Sequence, residues 1–341
     1  MSPTASGAPA AVNRSSSTPV IDFHAHSMVQ EVADFVTENR PADSPECKLV
    51  EGFTRGMNNF RKRHPRGTDD VVEARLGDMD ECGIDLQVVS GHIAQFIHWA
   101  DIETGVKMHQ LGNNKLAEFV QLKPDRFIGM GMVPLQGTAA AVAELERSVK
   151  ELGFKAVLVS TNVEGIELGE EVLWPFWEKV EELGVLAMIH PAGFRHPRFK
   201  KHLMWNGLGQ PIEEAIAMSS LIYEGVMERF PKIKLCIAHG GGFLPYYAGR
   251  VDRNFENRPH ETPNIHKKPS EYMRQFFYDT ALYNVDMLEF LVKKVGASQI
   301  VLGADYPVGE DDPVAFVRGA DISDRDKQMI LGENMVRLLG L

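Results

Sequence analysis

Short apolar runs alternate with longer amphipathic stretches along most of the chain. Eight runs read as strands: 20–23, 86–90, 127–133, 156–160, 185–190, 234–239, 276–280 and 300–305. Most lack a strict polar–apolar alternation, which is the pattern of strands buried on both faces, as in a parallel sheet. Between them, helical periodicity runs through 69–83, 138–153, 175–184, 211–231 and 323–340. The first of these has Thr68 or Asp69 as its N-cap and Gly83 as its stop, and the next two also end in glycine. Eight strands alternating with helices predict the α/β class and, within it, a (β/α)8 TIM barrel. An open, doubly wound sheet has the same local pattern.

Two stretches break the alternation. Residues 29–68 carry "RPADSPEC" and "TRGMNNFRKRHPRGT" with few long apolar runs, and read as an insertion after the first strand, over the barrel mouth. Residues 1–18 are small, polar and proline-bearing. They lack the apolar stretch of a secretory signal and read as a disordered leader. The expected organisation is that leader followed by one barrel domain over 19–341.

Composition narrows the function classes. Of 341 residues 44% are hydrophobic, enough for a sizeable core, and the net charge of −11 argues against a general binder of nucleic acid or anionic membrane. No run of about 18 apolar residues suggests a membrane span. The three cysteines, Cys47, Cys82 and Cys236, have no close spacing. That count gives neither a disulfide framework nor a thiolate zinc site, and fits a reducing, cytoplasmic setting.

The chemistry starts at "IDFHAH". In a strand, alternate side chains share a face, so His24 and His26 project together and Ala25 faces away. In a barrel, functional groups collect at the C-terminal ends of the strands. His24 and His26 end the first strand, His190 the fifth, His239 the sixth and Asp305 the eighth. A satisfied core histidine accounts for any one of them, but not for several strand ends carrying such groups. Imidazole and carboxylate ligands suit zinc, and also manganese or iron. A metal so held lowers the pKa of a bound water to about 7, and an unligated histidine beside it can move a proton. His92 follows the second strand and is a candidate pocket residue. His64, His98, His109, His196, His202, His260 and His266 read mostly as exposed residues of helices and polar loops.

These motifs together, "DFHAH", the His190 strand end, "CIAHGGGFLPYYAGRVD" and "VLGADYP", resemble the amidohydrolase superfamily. More narrowly they resemble its metal-dependent decarboxylase branch, typified by 2-amino-3-carboxymuconate-6-semialdehyde decarboxylase. The resemblance runs from about residue 20 to the C-terminus. It implies one divalent metal, zinc first and manganese second, on His24, His26, His190 and Asp305, with His239 as the acid–base residue. It also implies that Arg61 of "NNFR" and Arg250 of the segment ending "GR" bind the substrate carboxylate, Arg250 across a homodimer interface. A guanidinium fork matches a carboxylate's two oxygens. For Arg61 a solvated basic loop, and for Arg250 a surface ion pair, are the plain alternatives. The chain departs from the branch at "HPAGFRHPRF", where Ala192 and Gly193 stand in place of a Trp-Asp pair, and at "DYPV" in place of "DYPF". The expected activity is non-oxidative decarboxylation of a small unsaturated or aromatic carboxylic acid. The alternatives are a metal-dependent hydrolase of an amide, lactone or C–C bond on the same scaffold, and a metal-binding protein without turnover.

Overall fold

Eight parallel strands close on themselves in the order in which they occur. The computed structural model describes residues 18–42, 44–63, 71–192 and 196–341, with the side chains of 56–63 and 71 outside that description. The barrel strands are β1 (Ile21–Ser27), β2 (Leu86–Gly91), β3 (Phe127–Met132), β4 (Ala156–Ser160), β7 (Leu186–His190), β8 (Lys234–Ile237), β9 (Phe277–Asp279) and β10 (Ile300–Val301). Each pairs with the next in parallel register. The ring closes where Phe23 N donates to Leu302 O at 2.9 Å and His26 N to Tyr306 O at 2.9 Å. This is the expected (β/α)8 barrel. A short hairpin, β5 (Asn162–Val163) with β6 (Ile166–Glu167), stands apart from it.

Helices fill the connections. α1 (Gln30–Asn39), α2 (Pro45–Arg63) and α3 (Val71–Cys82) follow β1, α4 (Ile102–Leu122) follows β2, α5 (Thr138–Lys150) follows β3, and α6 (Trp174–Leu183) follows the hairpin. α7 (Gln210–Tyr223) and the short α8 (Val226–Arg229) follow β7, while α9 (Ala248–Asn257) and α10 (Pro269–Met273) follow β8. α11 (Val285–Val295) follows β9, and α12 (Pro313–Gly319), α13 (Asp324–Gln328) and α14 (Asn334–Leu339) complete the chain.

The core has two layers, as a barrel requires. Phe23, Val88, Met130, Leu158, Met188, Cys236 and Val301 pack together from successive strands, with Met335, Leu338 and Leu339 of α14 joining them. A second layer joins Val89, Val157, Val159, Ala187 and Ile237 to helix residues such as Leu145, Trp177 and Leu221. The continuous apolar reading of the strands follows from these two layers.

One expectation needs adjustment. The helical pattern over 211–231 is not one helix. Gly225 sits at φ +82°, and a Cβ there would meet Asn264 O at 3.1 Å, so the chain breaks between α7 and α8. Residues 30–39 and 45–63 are helical although few long apolar runs mark them. Buried pairs, Val32 with Val36 in the first and Leu49 with Phe53 in the second, are spaced at the helical interval of four. Thr68 and Asp69, and the leader apart from Thr18, lie outside the described residues.

Candidate metal centre

A β-bulge prepares β1 for its two histidines. Asp22 pairs with Gln87, but Ala25 pairs with Val89, so Phe23 and His24 together face Val88. The extra residue lets Phe23 enter the apolar core while His24 and His26 join the strand-end cluster. Asp22 pins the bulge: its carboxylate accepts from His24 N at 3.1 Å, Ala304 N at 3.0 Å and Gln87 Nε2 at 2.9 Å. Behind it, the buried Arg75 guanidinium donates to Gln87 Oε1 at 2.8 Å and to His26 O at 2.6 Å.

The barrel brings His24, His26, His190 and Asp305 together, and their candidate ligand atoms all lie within 4.8 Å of one another. His24 Nε2 and His26 Nε2 are 3.1 Å apart, and Asp305 Oδ1 lies 3.2 Å from the first and 3.3 Å from the second. The His190 ring centroid is 4.8 Å from that of His24 and 5.1 Å from that of His26. His239 completes the cluster, its Nε2 lying 3.5 Å from Asp305 Oδ2. His24 and His26 lie toward the C-terminal end of β1 and His190 ends β7, whereas His239 follows the end of β8 by two residues and Asp305 follows that of β10 by four.

Each imidazole is held from behind. His24 Nδ1 meets Asp279 Oδ2 at 2.5 Å, and His26 Nδ1 lies 2.9 Å from Ser90 Oγ and 3.3 Å from Gly91 O. His190 Nδ1 donates to Pro191 O at 2.8 Å, and His239 Nδ1 meets Glu214 Oε1. With the Nδ1 protons committed outward, the Nε2 lone pairs converge. His190 Nε2 is buried and has no hydrogen-bond partner. Converging lone pairs about 3 Å apart beside a carboxylate are what one small cation with bonds of about 2 Å requires. The residues present therefore fit a divalent metal, with three nitrogens and one oxygen as donors.

The electrostatics follow from burial among like and unlike charges. Burial depresses His24, but the Asp305 and Asp279 carboxylates outweigh it and raise its pKa to about 9. Burial, reinforced by His24, His239 and His26, drives His190 well below its ordinary value. Asp305 is held well below the carboxylate range because His24, His239 and His26 overcome its burial. His239 rises well above 6.5 because Glu214 and Asp305 outweigh desolvation.

Backbone geometry aims the later residues. His239 and Asp305 occupy the left-handed region at φ +48° and +55°, which strained functional positions often do. The glycines of "HGGG" serve close approach: at Gly242, φ +60°, a Cβ would lie 2.2 Å from Pro211 O and 2.9 Å from Glu214 Oε2. A Cβ at Gly303 would lie 2.8 Å from that of Asp279 and 2.9 Å from that of His24.

The remaining candidates separate. Arg250 is exposed on α9, and the side chain of Arg61, on α2, lies outside the described residues. His92 is buried at the mouth, its ring 5.7 Å from His26 and 4.6 Å from Phe53 of α2. Burial lowers its pKa to about 3. His98 and His109 are buried as well, contrary to their reading as exposed. Their rings stack at 5.8 Å, and His109 Nδ1 donates to Gly105 O at 2.8 Å. Sequence reasoning missed Asp279, Ser90 and Glu214. Asp279 ends a strand, which was the available signal, whereas Glu214 lies within a helix and carried none.

A closed parallel barrel with a His-X-His pair on its first strand, and a histidine, a second histidine and an aspartate on later strand ends, defines a class of enzyme scaffold. The chain belongs to the amidohydrolase family, whose match covers residues 21–341. It is 34% identical over 277 residues to a 2-amino-3-carboxymuconate-6-semialdehyde decarboxylase of Dictyostelium discoideum, covering 79% of this chain and 76% of that one. It is 29% identical over 303 residues to a 2-keto-4-carboxy-3-hexenedioate hydratase of Sphingobium sp., covering 81% and 85%. A solved dihydroxybenzoic acid decarboxylase from Polaromonas sp. JS666, with bound manganese and the inhibitor 2-nitroresorcinol, superimposes with a TM-score of 0.80 at 25% identity. That match covers 95% of this chain and 97% of that one.

Proposed function

We propose that the protein is a metal-dependent, non-oxidative decarboxylase of a small unsaturated or aromatic carboxylic acid. The observation that carries the proposal is the converging donor set, with the orphaned His190 Nε2 in it and His239 Nε2 next to its Asp305, in a chain 34% identical to a decarboxylase. His24, His26, His190 and Asp305 hold one divalent ion, zinc first. Manganese is the alternative, as bound in the dihydroxybenzoic acid decarboxylase. When bound, the ion supplies positive charge that helps to delocalise the electron pair left as CO2 departs.

The chain's own residues do the rest. Arg61 and Arg250 grip the substrate carboxylate and orient it. His239 Nε2 carries the proton that the carbon needs once its carboxylate has gone. Bond for bond, the C–CO2 bond breaks, CO2 leaves, the electron pair stays on carbon, and an N–H bond gives way to a C–H bond. α2 covers the mouth, and Phe53, its ring tilted against that of a neutral His92, helps to keep water out. Arg250 acts across a homodimer. Its exposure on α9, with exposed Tyr246 and Tyr247 just before that helix, supports a role in a neighbouring subunit's site. Three free cysteines support a reducing, cytoplasmic setting.

The hydratase relative favours one second reading, in which the same centre adds water to an unsaturated acid. A panel of unsaturated and hydroxyaromatic acids, given to the zinc- or manganese-loaded protein, separates the two. Decarboxylation releases CO2 without consuming water. Water-adduct products with every carboxylate retained would replace the first reading with the second.

A further inference from the structure

Glu214 stands in the second turn of α7, and its side chain is fully buried. One carboxylate oxygen, Oε1, meets His239 Nδ1. The other, Oε2, is buried with no hydrogen-bond partner. A carboxylate placed for stability alone would have both oxygens satisfied, because a buried charge with an idle oxygen is costly. The fold nevertheless goes to some length to keep it there. The "GGG" stretch at φ +62°, +79° and +60° lays the His239 loop directly on α7. At Gly242 even a methyl group would collide with Pro211 O and crowd Glu214 Oε2. On the far side of the ring, Asp305 Oδ2 lies 3.5 Å from His239 Nε2. His239 is therefore suspended between two carboxylates, one on each nitrogen.

We propose that Glu214 is a positioning residue for the reaction: by holding the Nδ1 proton of His239 it makes Nε2 the atom that delivers a proton to substrate carbon. The inference rests on the proton-transfer role given to His239 above. A neutral imidazole carries one proton, and which nitrogen holds it is set by the partner of the other. With Nδ1–H pointed at Glu214, Nε2 gains and loses protons while the ring stays in place. In the productive step the Nε2–H bond breaks and a C–H bond forms. The imidazolium returns to the neutral Nδ1–H form, still held by Glu214, and the carbanion charge is cancelled. Glu214 itself neither gains nor loses a proton, and its charge stabilises the imidazolium between turnovers.

The test uses the zinc-loaded full chain with Glu214→Gln, Glu214→Leu and His239→Ala. Glu214→Gln keeps the shape and an acceptor oxygen but removes the charge. It should keep one metal per chain and a KM within about twofold of wild type. Its kcat should fall about 10- to 100-fold, the usual loss when the outer partner of a working histidine is altered. Placed in the His239→Ala background, the same change should cost nothing further, since both act through one ring. The imidazole NMR spectrum gives a readout independent of turnover. The downfield Nδ1–H signal that disappears in His239→Ala should also disappear in Glu214→Leu. Unchanged kcat in Glu214→Gln, or an Nδ1–H signal that persists in Glu214→Leu, overturns the proposal. If Glu214→Leu fails to fold, Glu214→Gln decides alone. Full activity in His239→Ala would instead defeat the role given to His239, while the NMR comparison would still judge the contact with Glu214.

Discussion

At the residue scale, the centre depends as much on what stands behind the histidines as on the histidines. Asp279 fixes His24 from the Nδ1 side at 2.5 Å and also accepts from Gly240 N and Ala281 N. Asp279→Asn should therefore weaken metal binding about 10- to 100-fold while leaving every proposed ligand in place, measured by competition with a chelator. An unchanged affinity would show that His24 needs no such support. Replacing both His24 and His26 by alanine should abolish the metal in elemental analysis. His239→Ala should keep the metal and lose about 10²- to 10⁴-fold in kcat, the span of general acid–base catalysis. Loss of the metal in that variant would make His239 a ligand. The inner residues were legible because a barrel collects strand ends, so His24, His26, His190, His239 and Asp305 needed only correct strand assignments. Their partners were not. Glu214 reaches His239 from a helix 25 residues upstream, and Ser90 becomes relevant only through the register of β2 on β1.

At the element scale, the alternation of strands and helices was legible almost throughout, because strands buried on both faces leave unbroken apolar runs. What sequence periodicity could not show was where tertiary contacts interrupt it. The 211–231 pattern continues smoothly through Gly225, but that residue's φ of +82° and the approach of Asn264 end α7 there. Gly225→Ala should cost about 1–2 kcal/mol for the left-handed backbone alone, read as a lower Tm; an unchanged or raised Tm would show that the break is not needed. α4 contributes a pH effect. Burial holds His109 down to about pKa 4, against 6.5 for an ordinary histidine. The unfolded chain thus takes up a proton before the folded one does. The stability gained from a neutral His109 is complete above about pH 6.5 and is lost as the pH falls towards 4. It amounts to about 3 kcal/mol at most. His109→Gln should flatten the decline of stability across that window, and a profile identical to wild type would argue against His109 as its source.

At the scale of the whole molecule, the proposed homodimer is tested through Arg250. Arg250 is exposed on α9, and the proposal assigns its grip on substrate to the site of a second subunit. Arg250→Ala chains keep the metal and His239, while His239→Ala chains can still lend Arg250. Mixed and allowed to exchange, two inactive variants should recover activity up to about a quarter of wild type. About half the dimers are then mixed, and each holds one complete site. No recovery after verified exchange, or a fully active monomer, would remove Arg250 from the site. The broader claim is that the chain uses its His–Asp centre to replace a carboxylate by a proton. Its most direct measurement is turnover in D2O by protein stripped of metal and then titrated with zinc or manganese, given an unsaturated or hydroxyaromatic acid. CO2 release should rise from nothing and level off at one metal per chain, with a single deuterium at the carbon that carried the lost carboxylate. Full activity in the stripped protein, or a product that retains its carboxylate and gains water, would contradict it.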